Sequence, residues 1–304
     1  VAWKIGNKKM NDNFYSLYKY RPLFTLDLEG QRHPHPFTAN IFKDAQIYYA
    51  APKSFNDPFD CNLKLHFDDA TQEEWRIYFD SLAKTYPRIQ SHLQKAKRDI
   101  FRSKNGPEWR KFSNHLKVRI EKSRKWHYED SSVFCLSKKP NSTQMFSYYA
   151  DSHQGIAIEF KFGTRTIPCG IPFGDPTNPK DWYAGKIAIS EVAYQEELPE
   201  LNFIRLSQHQ NQIVHSLMFT KQKDWSHEQE VRIFRLGVKA AAAPFERSMV
   251  SHIIFGCKAN EAEVLLVKDW LRDWPVDVTL SKAEQVQGKF DLEIKYLETI
   301  KGKG

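Results

Sequence analysis

The stretch KDWSHEQEVRIFRL, residues 223–236, carries Glu228, Glu230 and Arg232 at alternate positions of what reads as a strand. In an extended chain, residues two apart share a face. The three charges are therefore expected on one side and Gln229, Val231 and Ile233 on the other. Neighbouring carboxylates repel, which raises the affinity of the pair for a proton or a cation. Such a pair can stabilise positive charge that develops in a transition state. Alternatively, Arg232 and Lys221 neutralise it, and the pattern is the wet face of a structural strand. A second pair of charges stands at Glu159 and Lys161 of IEFK. Glu-x-Lys joined to a further acid, Asp151 or Asp57, is the arrangement by which restriction-type nucleases hold a divalent ion and activate water.

Other chemistries are excluded by what is missing. The chain has no G-x-G-x-x-G, Walker loop, H-E-x-x-H or G-x-S-x-G. Its 11 histidines are scattered; HPH at 33–35 reads as a turn about its proline, and His153 sits where a helix gives way to a strand. Cys61, Cys135, Cys169 and Cys257 form no C-x-x-C pair, so neither a zinc site nor a disulfide framework is expected. The residue types thus imply no bound metal and a reduced, cytoplasmic protein. No apolar run approaches the roughly 20 residues that span a membrane. The first residues, VAWKIGNKKMNDN, lack the apolar centre of a signal peptide.

The elements that must position these charges follow from periodicity. SLYKYRPL alternates, with Lys19 and Arg21 on one face and Tyr18 and Tyr20 on the other. SFNDPFDCN is a turn sequence. TQEEWRIYFDSLAKTY opens with Thr71 and Glu74 at capping-box spacing, and two basic helices broken at 105–107 are expected after it. From 131 the period becomes that of strands, in SSVFCLS and QGIAIEFKF. Between them lies a short helix started by Asn141 or Ser142. GKIAISEVAY reads as a strand, residues 198–221 as a helix, and KAAAAP (239–244) as an exposed loop or an engineered patch. MVSHIIFGC, a helix NEAEVLLVKDWLRDW and two further strands end the chain. Mixed strands and helices without regular alternation define an α+β class.

The net charge of +8 is concentrated in one segment. Residues 81–126 hold 14 Lys/Arg against three acids, a net +11, so the remainder carries −3. That segment is expected to attract RNA or DNA, or else to be a solvated helix pair.

LYKYR, FNDPFD, FCLS, MFSYYADSHQGIAIEF and KDWSHEQEVRIF follow in this order between Leu17 and Phe234. The series resembles an uncharacterised bacterial domain family, some of whose relatives are linked to abortive phage infection. Its layout is similar to ADP-ribosyltransferases with an arginine on the first strand, a serine on a middle strand and a late Glu-x-Glu. This resemblance implies that Arg21 holds NAD phosphate or ribose, with Lys19 and Tyr20 as rivals for that place. It also implies that Ser137 supports the nicotinamide end, Glu230 stabilises the ribosyl cation, and Glu228 positions the acceptor. Tyr20, Tyr148 and Tyr149 are the aromatic candidates to stack on nicotinamide. Asn56 and Asp57 either line the cleft or only form their turn. The middle strand reads CLS followed by Lys138, where the transferase pattern has Ser-Thr-Ser.

The expected fold is an ADP-ribosyltransferase-like mixed β core of two packed sheets. It forms one α+β domain over 14–300, with a helical, basic insert at 68–126 and an N-terminal extension at 1–13. The expected activity is transfer of ADP-ribose from NAD to a macromolecule, nucleic acid among the candidates, in phage defence or as a toxin. The alternatives are a Mg-dependent nuclease using Glu159 and Lys161, and a non-catalytic nucleic-acid-binding protein.

Overall fold

A computed structural model describes residues 15–102, 107–162, 187–206 and 210–304. The expected extension at 1–13 and most of the break between the basic helices lie outside these residues. The chain divides into two compact units. One comprises Val1–Ala51, Ser132–Val192 and Asp224–Gly304; the other comprises Pro52–Ser131 and Ala193–Lys223. The helical segment is thus wider than the expected 68–126, and a second stretch of chain completes it.

The α+β class holds. The described helices are α1 (Pro36–Lys43), α2 (Gln72–Thr85), α3 (Gln90–Arg102), α4 (Pro107–Glu129), α5 (Thr143–Tyr149), α6 (Gln210–Met218) and α7 (Glu261–Trp270). Eight strands of the first unit form one sheet: β1 (Tyr15–Arg21), β2 (Ser132–Ser137), β3 (Ile156–Phe162), β4 (Ile187–Glu191), β5 (Glu230–Arg235), β6 (Val250–Phe255), β7 (Val278–Gln285) and β8 (Leu292–Ile300). Their order is β8-β7-β6-β3-β1-β2-β5-β4. Only β6 and β7 pair in parallel, and α7 lies between them in the chain, as a parallel crossover requires. In place of two packed sheets, the described residues form this single large sheet and four two-stranded ones. One of these joins Ala241–Pro244 to Gln46–Tyr49, so the alanine run expected as a loop is a paired edge strand.

Alternation gives the large sheet two unlike faces. Leu17, Phe134, Ile158, Phe160, Ile233 and Ile253 point to one side, into the main core with Phe42 of α1 and Trp270 of α7. Phe42 stacks on Trp270 with ring centres 5.3 Å apart. Burying a side chain of this size stabilises the fold by roughly 1.5–3 kcal/mol. On the other side Tyr20, Ala157 and Ile254 lie in a smaller cluster with Met145 and Phe146 of α5. Ser142 starts α5, its hydroxyl accepting the Met145 N–H at 3.3 Å. At the far end of α5, Asp151, Ser152 and His153 all have positive φ (48°, 51° and 75°). This turn is held from both sides by glycines. A Cβ on Gly155 would stand 2.3 Å from the Arg21 carbonyl, and one on Gly256 would stand 2.1 Å from that of His153.

The second unit is helical. Trp75 and Phe79 of α2, Leu93, Ala96 and Ile100 of α3, and Leu116 and Ile120 of α4 make its core. The i, i+3, i+7 spacing in α3 is the apolar stripe of an amphipathic helix. Thr71 and Glu74 form the expected capping box, with bonds of 3.2 and 2.8 Å. Two parallel strand pairs complete the unit: Lys64–His66 with Glu200–Asn202, and Ala193–Gln195 with Thr220–Gln222. The helix expected over 198–221 is therefore confined to α6 and flanked by strands. Residues 207–209 lie outside the described set.

Candidate active site

Register across the large sheet lines up five polar residues on the face away from the main core. His252 pairs with Glu159, Glu159 with Tyr18, Tyr18 with Ser137, and Ser137 with Glu230. Directly paired residues share a face. At about 4.8 Å per strand, the row spans about 19 Å of backbone.

The Glu230 end is the most densely bonded. Glu230 is 5% exposed and Arg232 is fully buried. The Arg232 guanidinium donates from Nε to Oε1 and from Nη2 to Oε2 of Glu230, each at 2.9 Å. This two-pronged geometry fixes both side chains. Glu228 is 3% exposed but does not belong to the strand. The segment expected to be extended is a 3-10 helix over Lys223–Glu228, Gln229 turns left-handed (φ 43°), and only Glu230–Arg235 is strand. Turning at Gln229, rather than the two-residue strand period, delivers Glu228 to the site. Its carboxylate accepts the Tyr149 hydroxyl at 2.6 Å. The Ser137 hydroxyl donates to the Glu228 carbonyl at 2.6 Å and accepts the Lys139 N–H at 3.1 Å. Ser137 thereby pins the turn to the end of β2.

The middle of the row holds another buried carboxylate. Glu159 accepts the Ser251 hydroxyl at 2.8 Å and the Tyr18 hydroxyl at 3.4 Å. Burial, with Glu159 adding to it, pushes the Tyr18 phenol up to about 12. His252 shares a 2.9 Å hydrogen bond with Ser281. Burial lowers its pKa, while Glu159 pulls the other way. Lys161 lies on the same face as Glu159 and is exposed. Among the described residues no group of three or more His, Cys, Asp or Glu is placed to hold a metal ion.

The structure does not gather all the expected residues. Arg21 alternates with Tyr18, so parity puts it on the opposite face from Glu230. Arg21 donates from Nε to Thr38 Oγ1 at 3.3 Å, and burial lowers its pKa to about 10. Lys19 donates to the Cys135 carbonyl at 2.8 Å and lies 5.1 Å from the Phe134 ring centre. Its pKa is lowered by burial. Tyr20 is on the site's face but committed: its hydroxyl donates to the Lys139 carbonyl at 2.7 Å and accepts the Ser142 N–H at 3.1 Å. Tyr148 is 63% exposed. With Lys139, Gln144, Ser147, His153 and Phe290 it lines an open recess of about 500 Å³. Asn56 and Asp57 belong to the other unit, where Asp57 Oδ1 accepts the Phe59 N–H at 2.9 Å and closes the predicted turn. Lys221, also in that unit, pairs with Asp60 at 3.6 Å.

Sequence reasoning missed Tyr18, Ser251, His252 and Cys135. Cys135 pairs with Arg232 across β2 and β5, and burial followed by Glu230 raises its thiol pKa well above the ordinary value. Alternation could have put Tyr18 on one side of its strand. Only register puts it beside Glu159 and Ser137.

Residues 145–233 match a family model described as a protein of unknown function (DUF2971). The match begins inside α5, takes in β3 and the turn that carries Glu228, and ends inside β5. No curated protein and no solved structure matches the chain.

Proposed function

We propose that the chain has an ADP-ribosyltransferase-like fold and transfers ADP-ribose from NAD to a macromolecular acceptor, with Glu228 and Glu230 as the reacting pair. The observation that carries this reading is the burial of both carboxylates beside Ser137 and Tyr149 on one face of a sheet. In the proposed reaction the bond between nicotinamide nitrogen and ribose C1′ breaks, and its electron pair leaves with nicotinamide. The Glu230 carboxylate, held in place by Arg232, faces the cation left on the ribose. A fixed charge in a water-excluded site lowers such a barrier without reorganising. The acceptor then bonds to C1′ and gives up its proton on the Glu228 side, where Tyr149 sets the carboxylate's orientation. Tyr148, on the same helix, supplies an exposed ring for the nicotinamide. Arg21 faces the other way, so Lys139 is the better placed cation for phosphate.

The test is NAD binding by calorimetry, then nicotinamide release with and without RNA, DNA and cell lysate. Glu230→Gln leaves Arg232 buried with a neutral partner and so endangers the fold. Glu228→Gln retains an oxygen for Tyr149 and is the decisive variant. A folded Glu228→Gln protein with release lowered roughly 100-fold is expected, the usual scale for removing one fixed electrostatic group. Undiminished release in that variant, or no binding and no release by the native protein, overturns the reading.

A further inference from the structure

The helical unit segregates its charges. The acids of its first part lie at Asp57, Asp60, Asp68, Asp69, Glu73, Glu74 and Asp80, whereas 84–125 carries 14 Lys/Arg against Asp99, Glu108 and Glu121. The fold places the apolar positions of α3 and α4 inward, which forces the basic ones out. On α4, Leu116 and Ile120 are buried, while His115, Arg119, Lys122 and Lys125 are exposed. Spacings of three and four residues make these one stripe. At 1.5 Å per residue, the 23 residues of α4 are about 34 Å long. On α3, Lys95, Arg98 and Arg102 are exposed at the same kind of spacing.

The α4 stripe also carries apolar groups in water. Trp126 is 41% exposed at its end and Val118 is 53% exposed in its middle. An indole beside a row of cations offers two kinds of contact at once, charge for a phosphate backbone and a flat face for a base. A bilayer would instead favour a broad apolar face. The exposed apolar groups here are single and set among charges, which suits a chain of alternating phosphates and bases.

We propose that the exposed face of α4 binds single-stranded nucleic acid, with Arg119, Lys122 and Lys125 on phosphates and Trp126 stacked on a base. This surface stands on the charge and exposure of the helical unit alone and does not require the transferase reading.

The test is fluorescence anisotropy of the full chain with a labelled 20-nucleotide RNA and the equivalent single-stranded DNA, between 50 and 200 mM salt. The combined change Arg119→Ala, Lys122→Ala, Lys125→Ala should weaken binding by a factor of ten or more. It should also reduce the slope of log affinity against log salt by about 2, since each phosphate contact on a single strand contributes about 0.7. Trp126→Ala should weaken binding about fivefold or more while leaving that slope unchanged. Circular dichroism confirms that the variants are folded. Affinity unchanged in the triple variant overturns the proposal. So does equal affinity for heparin, or for phosphatidylserine vesicles, with no effect of Trp126→Ala. Binding that persists in a Glu228→Gln protein lacking nicotinamide release would separate this surface from the chemistry of the sheet.

Discussion

The sheet unit and the helical unit handle charge in opposite ways. The first buries a few acidic side chains and bonds each one: Glu230 to Arg232, Glu228 to Tyr149, Glu159 to Ser251 and Tyr18. The second keeps the cations of α3 and α4 in water on their outer sides and buries one ion pair, Lys221 with Asp60. In low dielectric each partner matters individually, because a lost bond leaves a charge with neither water nor counter-ion. In water only the sum matters, since single surface pairs contribute little and are screened by salt. Geometry is thus set tightly in the sheet, and a diffuse electrostatic field is set on the helices. The first suits chemistry at a point, the second attraction along a polymer.

The comparison predicts a wide spread in the cost of charge changes. Arg232→Leu should be the most damaging, by about 3–5 kcal/mol in urea denaturation, because it strands Glu230 below the surface. Pairing Arg232→Met with Glu230→Leu should recover most of that loss. A single variant as stable as the native chain would show that the ion pair does not hold this end of the sheet.

A smaller effect is expected at a buried histidine of the helical unit. His127 is 8% exposed, and burial lowers its pKa to about 4 from the model-compound 6.5. The fold favours the neutral ring. Stability present above pH 6.5 should therefore fall as pH drops towards 4, by about 3 kcal/mol in total. His215, in the same unit and also lowered by burial, acts in the same direction. Denaturation between pH 7 and 4 should be visibly less pH-dependent in His127→Gln, and an identical slope in the two proteins would remove His127 from the account. Least of all should come from the exposed stripe: the triple alanine change at Arg119, Lys122 and Lys125 should shift stability by about 0.5 kcal/mol or less. A loss of several kcal/mol there would mean that these cations hold the unit together.

Much of the local structure was legible in the sequence. Thr71, and Ser142 as one of two candidates with Asn141, were readable as helix starts, and the tyrosines of LYKYR as one face of a strand, because caps and alternation are properties of adjacent residues. Single residues marked some of the failures. A left-handed Gln229 breaks the strand expected through HEQEVR, and no rule of alternation reveals a residue that will adopt positive φ. Strands Glu200–Asn202 and Thr220–Gln222, three residues each, were lost inside a helix-like stretch because each is fixed by a partner strand distant in sequence.

The sequence alone determined which residues can share a face, how the charge divides between the two parts of the chain, and where helices begin. Tertiary structure alone decided that Tyr18, Glu159, Ser137, Glu230 and His252 stand in one row, and that Arg21 stands behind it. The physical reason is register. A strand's side chains repeat every two residues, so sequence fixes parity within each strand. Which residue meets which across strands is set by pairing between distant segments, where a slip of one position would turn every side chain to the other face.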